Sequence, residues 1–229
     1  MNIGFAHFWS GADAVVRVAA LLLLLFSLLS WAVILSRLAS MRHGQPSAGA
    51  LSSFWVAPTA HDGLPALAAI DRSGHLLALA QAAARAETGL LPAPEDDVVI
   101  AATAGVIDAA LSRELRGALA ERAARLDAGM TLLASVGSTA HFIGLFGTVW
   151  GVYRALVGLS AGNGPLTIER VAGPVGEALA MTAFGLAVAI PAVLAYNAFG
   201  RINRGALEAL DGFAADLRLR ALGTAGKDA

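Results

Sequence analysis

The stretch that decides the fold runs from Gly144 to Tyr196 and reads GLFGTVWGVYRALVGLSAGNGPLTIERVAGPVGEALAMTAFGLAVAIPAVLAY. It contains the end of one apolar segment, a short glycine-rich turn and nearly all of a second apolar segment. The second segment carries a single carboxylate, Glu177. An ionisable side chain is costly inside a membrane, so Glu177 marks a candidate functional site.

The composition indicates a membrane protein. Of the 229 residues, 57% are hydrophobic and only 14% are charged, and the mean hydropathy is +0.66. The chain has no cysteine, no nucleotide-binding fingerprint, no serine–histidine–aspartate arrangement and no metal-ligand spacing. We therefore expect no enzyme activity, no cofactor and no metal. Arginines alternate with acids in the middle of the chain, which argues against nucleic-acid binding.

The apolar segments predict an all-α membrane protein with three transmembrane helices and long helices that extend into a cytoplasmic helical domain. Of the 16 lysines and arginines, eight lie between Arg37 and Arg125 and five follow from Arg201 onward. The positive-inside rule places both regions in the cytoplasm. The predicted order is an outside N-terminal segment at 1–13, a first span at 14–37, a cytoplasmic helical domain at 38–127, a second span at 128–157, an outside turn at 158–170, a third span at 171–199 and a cytoplasmic tail at 200–229.

Two of these regions leave alternatives open. Residues 1–13 are either an amphipathic segment at the membrane surface or a disordered leader. The first span has a competing interpretation as a cleaved signal peptide. Its uncharged run of 19 residues, from Val18 to Ser36, exceeds the usual apolar core of about 7 to 15, so we expect a retained span.

The cytoplasmic domain is predicted to be helical pieces separated by glycine- and proline-rich breaks at 44–46, 58–65 and 89–94. Its last helix carries an apolar stripe in which every fourth position is aliphatic, and it is expected to continue directly into the second span. The stripe consists of Ile107, Leu111, Leu115 and Leu119.

The end of the chain gives two weaker expectations. Proline inside a helix removes a backbone hydrogen bond, so Pro191 predicts a bend in the third span. The tail from Gly200 predicts only a short amphipathic helix around Leu207, Leu210, Phe213 and Leu217.

Because the second and third spans are antiparallel, the rise of 1.5 Å per residue allows depths to be compared. Thr148 and Thr182 both fall about 14–16 Å below the outer side, and Glu177 lies nearer the outside. Polar groups at one depth in hydrocarbon must face protein or water. The spacing therefore predicts a polar layer on a protein-facing or pore-facing surface.

Glycines on both spans predict close helix packing. Gly147 and Gly151 form a small-xxx-small pair, and Gly144 precedes Gly151 by one heptad. Gly176 and Gly185 are the corresponding small residues of the third span. Packing within one subunit and a role at a pore fit this pattern equally well.

His141 is a titratable residue of the second span and lies one heptad before Thr148, about 10 Å away along the helix. One hypothesis makes it an extra proton-binding group on the cytoplasmic side of a proton path. The preferred alternative is a neutral histidine hydrogen-bonded to a neighbouring helix.

The runs GLFGTVWG (144–151) and GPVGEALAMTAFGLAVAIPAVLAYN (173–197) resemble the ExbB/TolQ branch of the proton-channel family that also includes the flagellar stator protein MotA. The resemblance is close over the last two spans, and the remainder agrees in layout. At 141 the family pattern has proline where this chain has histidine.

The resemblance implies a cyclic homo-oligomer, a pentamer, in the bacterial inner membrane, whose second and third spans line a central pore. It implies an ExbD-like single-span partner with an essential aspartate, and a TonB-like protein that opens outer-membrane receptors for iron chelates and vitamin B12. Glu177, Thr148 and Thr182 match the polar pore residues of the family. Two alternatives remain: a TolQ-type role in outer-membrane integrity and cell division, and a membrane anchor or signalling protein without a channel.

Overall fold

A computed structural model describes residues 13–41, 48–71, 74–88, 97–160 and 168–225, and within these ranges it contains helices and no strand. The expected all-α fold is therefore confirmed. The helices are α1 (Ala14–Met41), α2 (Ala48–Val56), α3 (Ala60–Ile70), α4 (His75–Thr88), α5 (Asp97–Asp127), α6 (Met130–Ser160) and α7 (Ile168–Ala225). The predicted N-terminal segment up to residue 12, most of the outside turn (161–167) and the tip of the tail (226–229) lie outside the described residues.

Three helical stretches are long and apolar enough to cross a membrane: Ala14–Met41, one within Asp108–Ser160 and one within Ala172–Leu222. This agrees with the three predicted transmembrane helices, while the exact bounds and the orientation of the spans stay predictions. The chain divides into two compact units, one formed by Met1–Ala39 with Gly129–Gly200 and the other by Ser40–Ala128 with Arg201–Ala229.

In the first unit, α1 buries only one narrow stripe. Val16, Ala19, Leu23, Ser30 and Ile34 are buried and recur at helical spacing, so they lie on one face. The remaining leucines of the helix are largely exposed. Leucines exposed in this way are expected for a helix in a lipid bilayer, because lipid tails are as apolar as the leucine side chains.

The second unit has its own apolar core. The side chains of Phe54, Leu67, Leu79 and Leu111 are fully buried there, and Leu217 of α7 joins them. Leu115 is also buried in this core and Leu119 is packed against it, so the aliphatic stripe predicted for α5 does face the core at these positions. The side chain of Ile107 is outside the described part of the chain.

Arginines anchor the last turns of α7 in this unit. Arg220 donates hydrogen bonds to the backbone carbonyls of Phe54 and Ala57, and its guanidinium lies 5.3 Å from the centre of the Phe54 ring. Arg218 forms a two-pronged ion pair with Asp108. The hydrogen bond from Arg218 holds the pKa of Asp108 below its usual value.

The predicted short helix of the tail is wrong in extent. Helix α7 continues without interruption from Ile168 to Ala225, through Pro174 and Pro191. No proline follows Pro191, and single glycines cost only about 1 kcal/mol each in a helix. The buried side chains of Leu210, Phe213 and Leu217 more than offset that cost.

Two other local expectations are also corrected. Helix α5 does not run directly into α6, because Gly129 interrupts the helix with a φ of 79°. A Cβ atom at Gly129 would lie 2.8 Å from Cγ1 of Val33, so close packing against α1 favours glycine here.

The break expected at 58–65 is shorter, since α3 begins at Ala60 and includes Pro65. Thr59 starts α3 by accepting a hydrogen bond from the Asp62 N–H.

Candidate functional site

Helices α6 and α7 pack in an antiparallel pair whose backbones nearly touch. A Cβ atom at Gly144 would lie 2.7 Å from the Met181 carbonyl oxygen and 2.9 Å from the Gly185 Cα. A Cβ at Gly185 would lie 2.8 Å from the Ala140 carbonyl oxygen and 3.0 Å from the Gly144 Cα. No real Cβ atom tolerates such contacts with backbone, so only glycine fits at both positions.

The same contact surface extends along both helices, and we call it the glycine seam. A Cβ at Gly147 would meet the Met181 side chain at 3.0 Å, and one at Gly151 would meet the Ala178 Cβ at 2.7 Å. Towards the other end, Gly137 lies against Val193, whose Cγ2 would be 2.6 Å from an added Cβ. Gly137 was not among the predicted packing residues, although it precedes Gly144 by one heptad and continues the series 137–144–151.

For two other residues predicted from the sequence, Gly176 and Pro191 of α7, the predicted role is not tested by the structure. Gly176 is exposed, and nothing in the described chain lies within 4 Å of a Cβ added there. It therefore does not belong to the glycine seam, and its role in helix packing stays a prediction. Pro191 is half-buried inside the continuous helix, and the bend expected from it also stays a prediction.

The glycine seam brings Thr148 and Thr182 into direct contact. Their hydroxyl groups form a hydrogen bond between α6 and α7. The Thr148 Oγ1 also lies 3.1 Å from the carbonyl oxygens of Gly144 and Ala178. Both side chains are half-buried. The equal depth inferred from the rise per residue thus corresponds to a physical contact, while the functional role of the pair remains to be tested.

Glu177 lies on α7, on the N-terminal side of Thr182. It is half-buried and immediately precedes Ala178, whose carbonyl oxygen faces Thr148. Five residues separate it from Thr182, which corresponds to about 7.5 Å along the helix axis. The described residues contain no group of three histidines, cysteines or carboxylates that could hold a metal ion. A role for Glu177 in a proton pathway stays a prediction.

His141 is half-buried on α6, and its ring centre lies 5.7 Å from that of Phe142. Its Nδ1 atom is buried and has no hydrogen-bond partner among the described residues. The hydrogen bond to a neighbouring helix in our preferred interpretation is therefore not made through Nδ1. Such a nitrogen needs a partner from water or from another chain.

A polar cluster at the start of α1 was not predicted. The Asp13 carboxylate accepts hydrogen bonds from the Trp150 indole N–H at 3.1 Å and from the Ala14 backbone N–H at 2.8 Å. Arg154 lies 3.5 Å from the same carboxylate. The Trp150 hydrogen bond, the Ala14 hydrogen bond and the Arg154 charge hold the pKa of Asp13 below its usual value. An aspartate directly before an apolar helix was the available sequence signal.

The glycine seam gives a direct mutational prediction. Gly144→Ala should lower stability by about 1–3 kcal/mol, because the added methyl group meets backbone atoms that cannot rotate away. Gly176→Ala makes the same chemical change in open space and should leave stability equal or higher. Thermal unfolding of both purified variants in detergent measures the difference. An equal effect of the two substitutions would contradict the close approach of α6 and α7.

Comparison with known proteins adds an independent finding. Residues 84–211 match the MotA/TolQ/ExbB proton channel family. A biopolymer transport protein ExbB from Xanthomonas campestris is 37% identical over 228 residues, which cover 94% of this chain and 87% of the relative. An ExbB from Neisseria gonorrhoeae is 53% identical over 109 residues, 48% of this chain and 49% of the relative. A Tol-Pal system protein TolQ from Haemophilus influenzae is 31% identical over 214 residues, with 88% and 87% covered. With its glycine seam and paired threonines, the chain thus belongs to the MotA/TolQ/ExbB proton channel family.

Proposed function

We propose that this chain is the proton-channel scaffold of an inner-membrane complex that uses the proton motive force to energise TonB-dependent uptake of iron chelates and vitamin B12. The observation that carries the proposal is the contact of Thr148 with Thr182 between two membrane-length helices, with Glu177 one to two turns away along α7. Family membership and the ExbB name of two relatives support it.

The proposed topology follows the charge distribution. The N-terminus and the turn at 158–170 face the periplasm, while the domain at 38–127 and the tail at 200–229 face the cytoplasm. In this orientation Glu177 lies on the periplasmic side of the threonine pair and His141 on the cytoplasmic side. A proton entering from the periplasm meets these groups in that order.

The proposed assembly is a cyclic homo-oligomer, a pentamer, in which α6 and α7 line the pore. Support comes from the apolar side chains that these helices expose in the single chain, among them Phe142, Phe146, Val149 and Leu179. The half-buried polar pair must also face protein or water when the chain lies in a membrane. Pairs of such helices arranged in a ring would meet both requirements, with lipid on the outer surface.

We propose that the proton path also needs a group from a second protein. Threonine hydroxyls both donate and accept hydrogen bonds but do not titrate near neutral pH. We propose that an ExbD-like single-span partner supplies an aspartate that carries the proton past the threonine pair. The resulting motion would be transmitted to a TonB-like protein. No cofactor, metal or covalent step is required.

A second candidate function is a TolQ-type role in outer-membrane integrity and cell division. It is favoured by the TolQ relative from Haemophilus influenzae, which matches along most of the chain. Deletion of the gene separates the two functions. Loss of iron-chelate uptake supports the ExbB role, and leakage of periplasmic proteins supports the TolQ role.

The main functional prediction concerns the carboxylate of Glu177. Glu177→Gln keeps the shape of the side chain but removes its charge, so proton influx into vesicles containing the complex should fall by about tenfold or more. Oligomer size should be unchanged. Proton flux is measured with an internal pH dye, and oligomer size by native mass spectrometry.

The matched control is Glu208→Gln, an exposed carboxylate of the same helix in the second unit, which should conduct protons like the parent chain. Parent-like flux in Glu177→Gln would contradict a proton-pathway role for Glu177. Loss of assembly in Glu177→Gln alone would assign it a structural role instead.

We also propose that His141 binds protons on the cytoplasmic side of the threonine pair, supported by its buried Nδ1 without a partner in the described chain. His141→Gln should therefore lower proton flux into vesicles that contain the complex, because an amide cannot take up and release a proton as an imidazole does. His61→Gln, at an exposed histidine of the second unit, is the control. Parent-like flux in His141→Gln would remove His141 from the proton path.

A further inference from the structure

An apolar groove of about 540 Å³ lies between α1 and α6 in the first unit. Its walls are Val18 and Leu22 of α1 and Phe142 and Phe146 of α6, which are between 40% and 65% exposed in the single chain. Of the described lining residues, only Thr139 has a polar side chain, and its hydroxyl donates a hydrogen bond to a backbone carbonyl one turn earlier. The lining therefore offers an occupant apolar contacts rather than hydrogen bonds.

The length of the groove matches one leaflet of a membrane. On α1 it extends from Ala14 to Leu22, which corresponds to about 12 Å along the helix axis. Half of the hydrocarbon core of a bilayer is about 15 Å thick. Both helices contain stretches that are long and apolar enough to cross a membrane. The groove thus runs from the predicted periplasmic surface towards the middle of the membrane, which is the course of a lipid acyl chain.

The polar cluster at the start of α1 lies at the outer end of this groove and carries an excess positive charge. Arg154 lies 3.5 Å from the Asp13 carboxylate, and Arg17 follows Asp13 by one turn of α1. The charges of both arginines act on this carboxylate. Two guanidinium charges therefore stand against one carboxylate charge. The Arg154 side chain is 56% exposed, and arginine pairs well with phosphate through its parallel N–H donors.

We propose that the groove and this cluster together bind a phospholipid whose headgroup carries a net negative charge. One acyl chain lies along the groove, and the headgroup phosphate pairs with Arg154 beside Arg17. An apolar slot with a positive charge at one end is complementary to a molecule that is apolar along its length and anionic at one end. The site lies on a different face of α6 from the glycine seam, so the inference does not depend on proton conduction.

The charge also favours a lipid over a second copy of this chain. In the proposed ring every copy lies at the same depth in the membrane. A neighbouring copy would therefore bring its own positively charged cluster to the same level, and like charges repel. A phosphate at this level neutralises the excess charge instead.

The test is photo-cross-linking of the assembled protein in vesicles made of equal parts phosphatidylglycerol and phosphatidylethanolamine. A benzophenone amino acid replaces Phe142 in the groove, and mass spectrometry identifies the attached molecule. Phosphatidylglycerol should be attached about fivefold more often than phosphatidylethanolamine, because one excess arginine charge favours the anionic lipid. The same amino acid at Leu145, which is exposed on α6 and does not line the groove, should attach the two lipids equally.

Two variants change the charge of the cluster in opposite directions. Arg154→Gln removes the excess charge and should bring the lipid ratio at the groove close to one. Asp13→Asn keeps an oxygen that accepts from the Trp150 indole and adds to the excess charge, so the ratio should rise further. Arg201→Gln, at an exposed arginine of the second unit, should leave the ratio unchanged.

Three results would overturn the lipid site. A ratio that falls in Asp13→Asn as well as in Arg154→Gln would mean that the cluster only holds α1 against α6. Equal lipid ratios at Phe142 and Leu145 would mean that the groove has no preference of its own. Cross-links from Phe142 to a second copy of the chain would make the groove a subunit contact.

Discussion

The contact between the backbones of Gly144 and Gly185 is the constraint on which the rest of the site depends. In each direction a Cβ atom would sit within 3 Å of backbone on the other helix. Helices separated by ordinary side chains lie about 8–10 Å apart. Short side chains such as threonine meet directly when glycines bring the axes nearer. The hydrogen bond between Thr148 and Thr182 is thus a consequence of the glycines on either side of it.

This arrangement explains how a polar group is tolerated within apolar helices. Both hydroxyl groups have hydrogen-bond partners inside the helix pair, so neither is buried without a partner. Glu177, on the same helix as Thr182, is half-buried. Helix α7 carries these groups and also supplies Leu210, Phe213 and Leu217 to the core of the second unit. One continuous helix therefore contributes to both compact units.

The sequence was sufficient for those features that follow from local periodicity. Hydropathy predicts three spans, and the rise per residue places Thr148 and Thr182 at one depth. Heptad spacing identifies Gly144 and Gly151 as packing residues. These inferences need only the geometry of a single helix and the knowledge that neighbouring spans are antiparallel.

Features that depend on a partner side chain were missed. The break at Gly129 requires the contact with Val33, and the Asp13 cluster requires Trp150 from a distant part of the chain. Gly176 has the same local pattern as the seam glycines, yet it faces open space because its direction is set by the rotation of α7. The two carbonyl oxygens that lie 3.1 Å from the Thr148 hydroxyl are likewise not revealed by any sequence pattern.

Disulfide formation between Thr148→Cys and Thr182→Cys tests the central contact most directly, because the chain has no cysteine of its own. Side chains whose hydroxyls share a hydrogen bond are close enough for their cysteine counterparts to join. Mild oxidation of the assembled protein should give nearly complete bond formation within one chain, and reduction should reverse it. The pair Thr148→Cys with Ala183→Cys should remain reduced. Failure of the first pair to join, or bonds that form only between chains, would contradict the contact of α6 with α7 at the threonine pair.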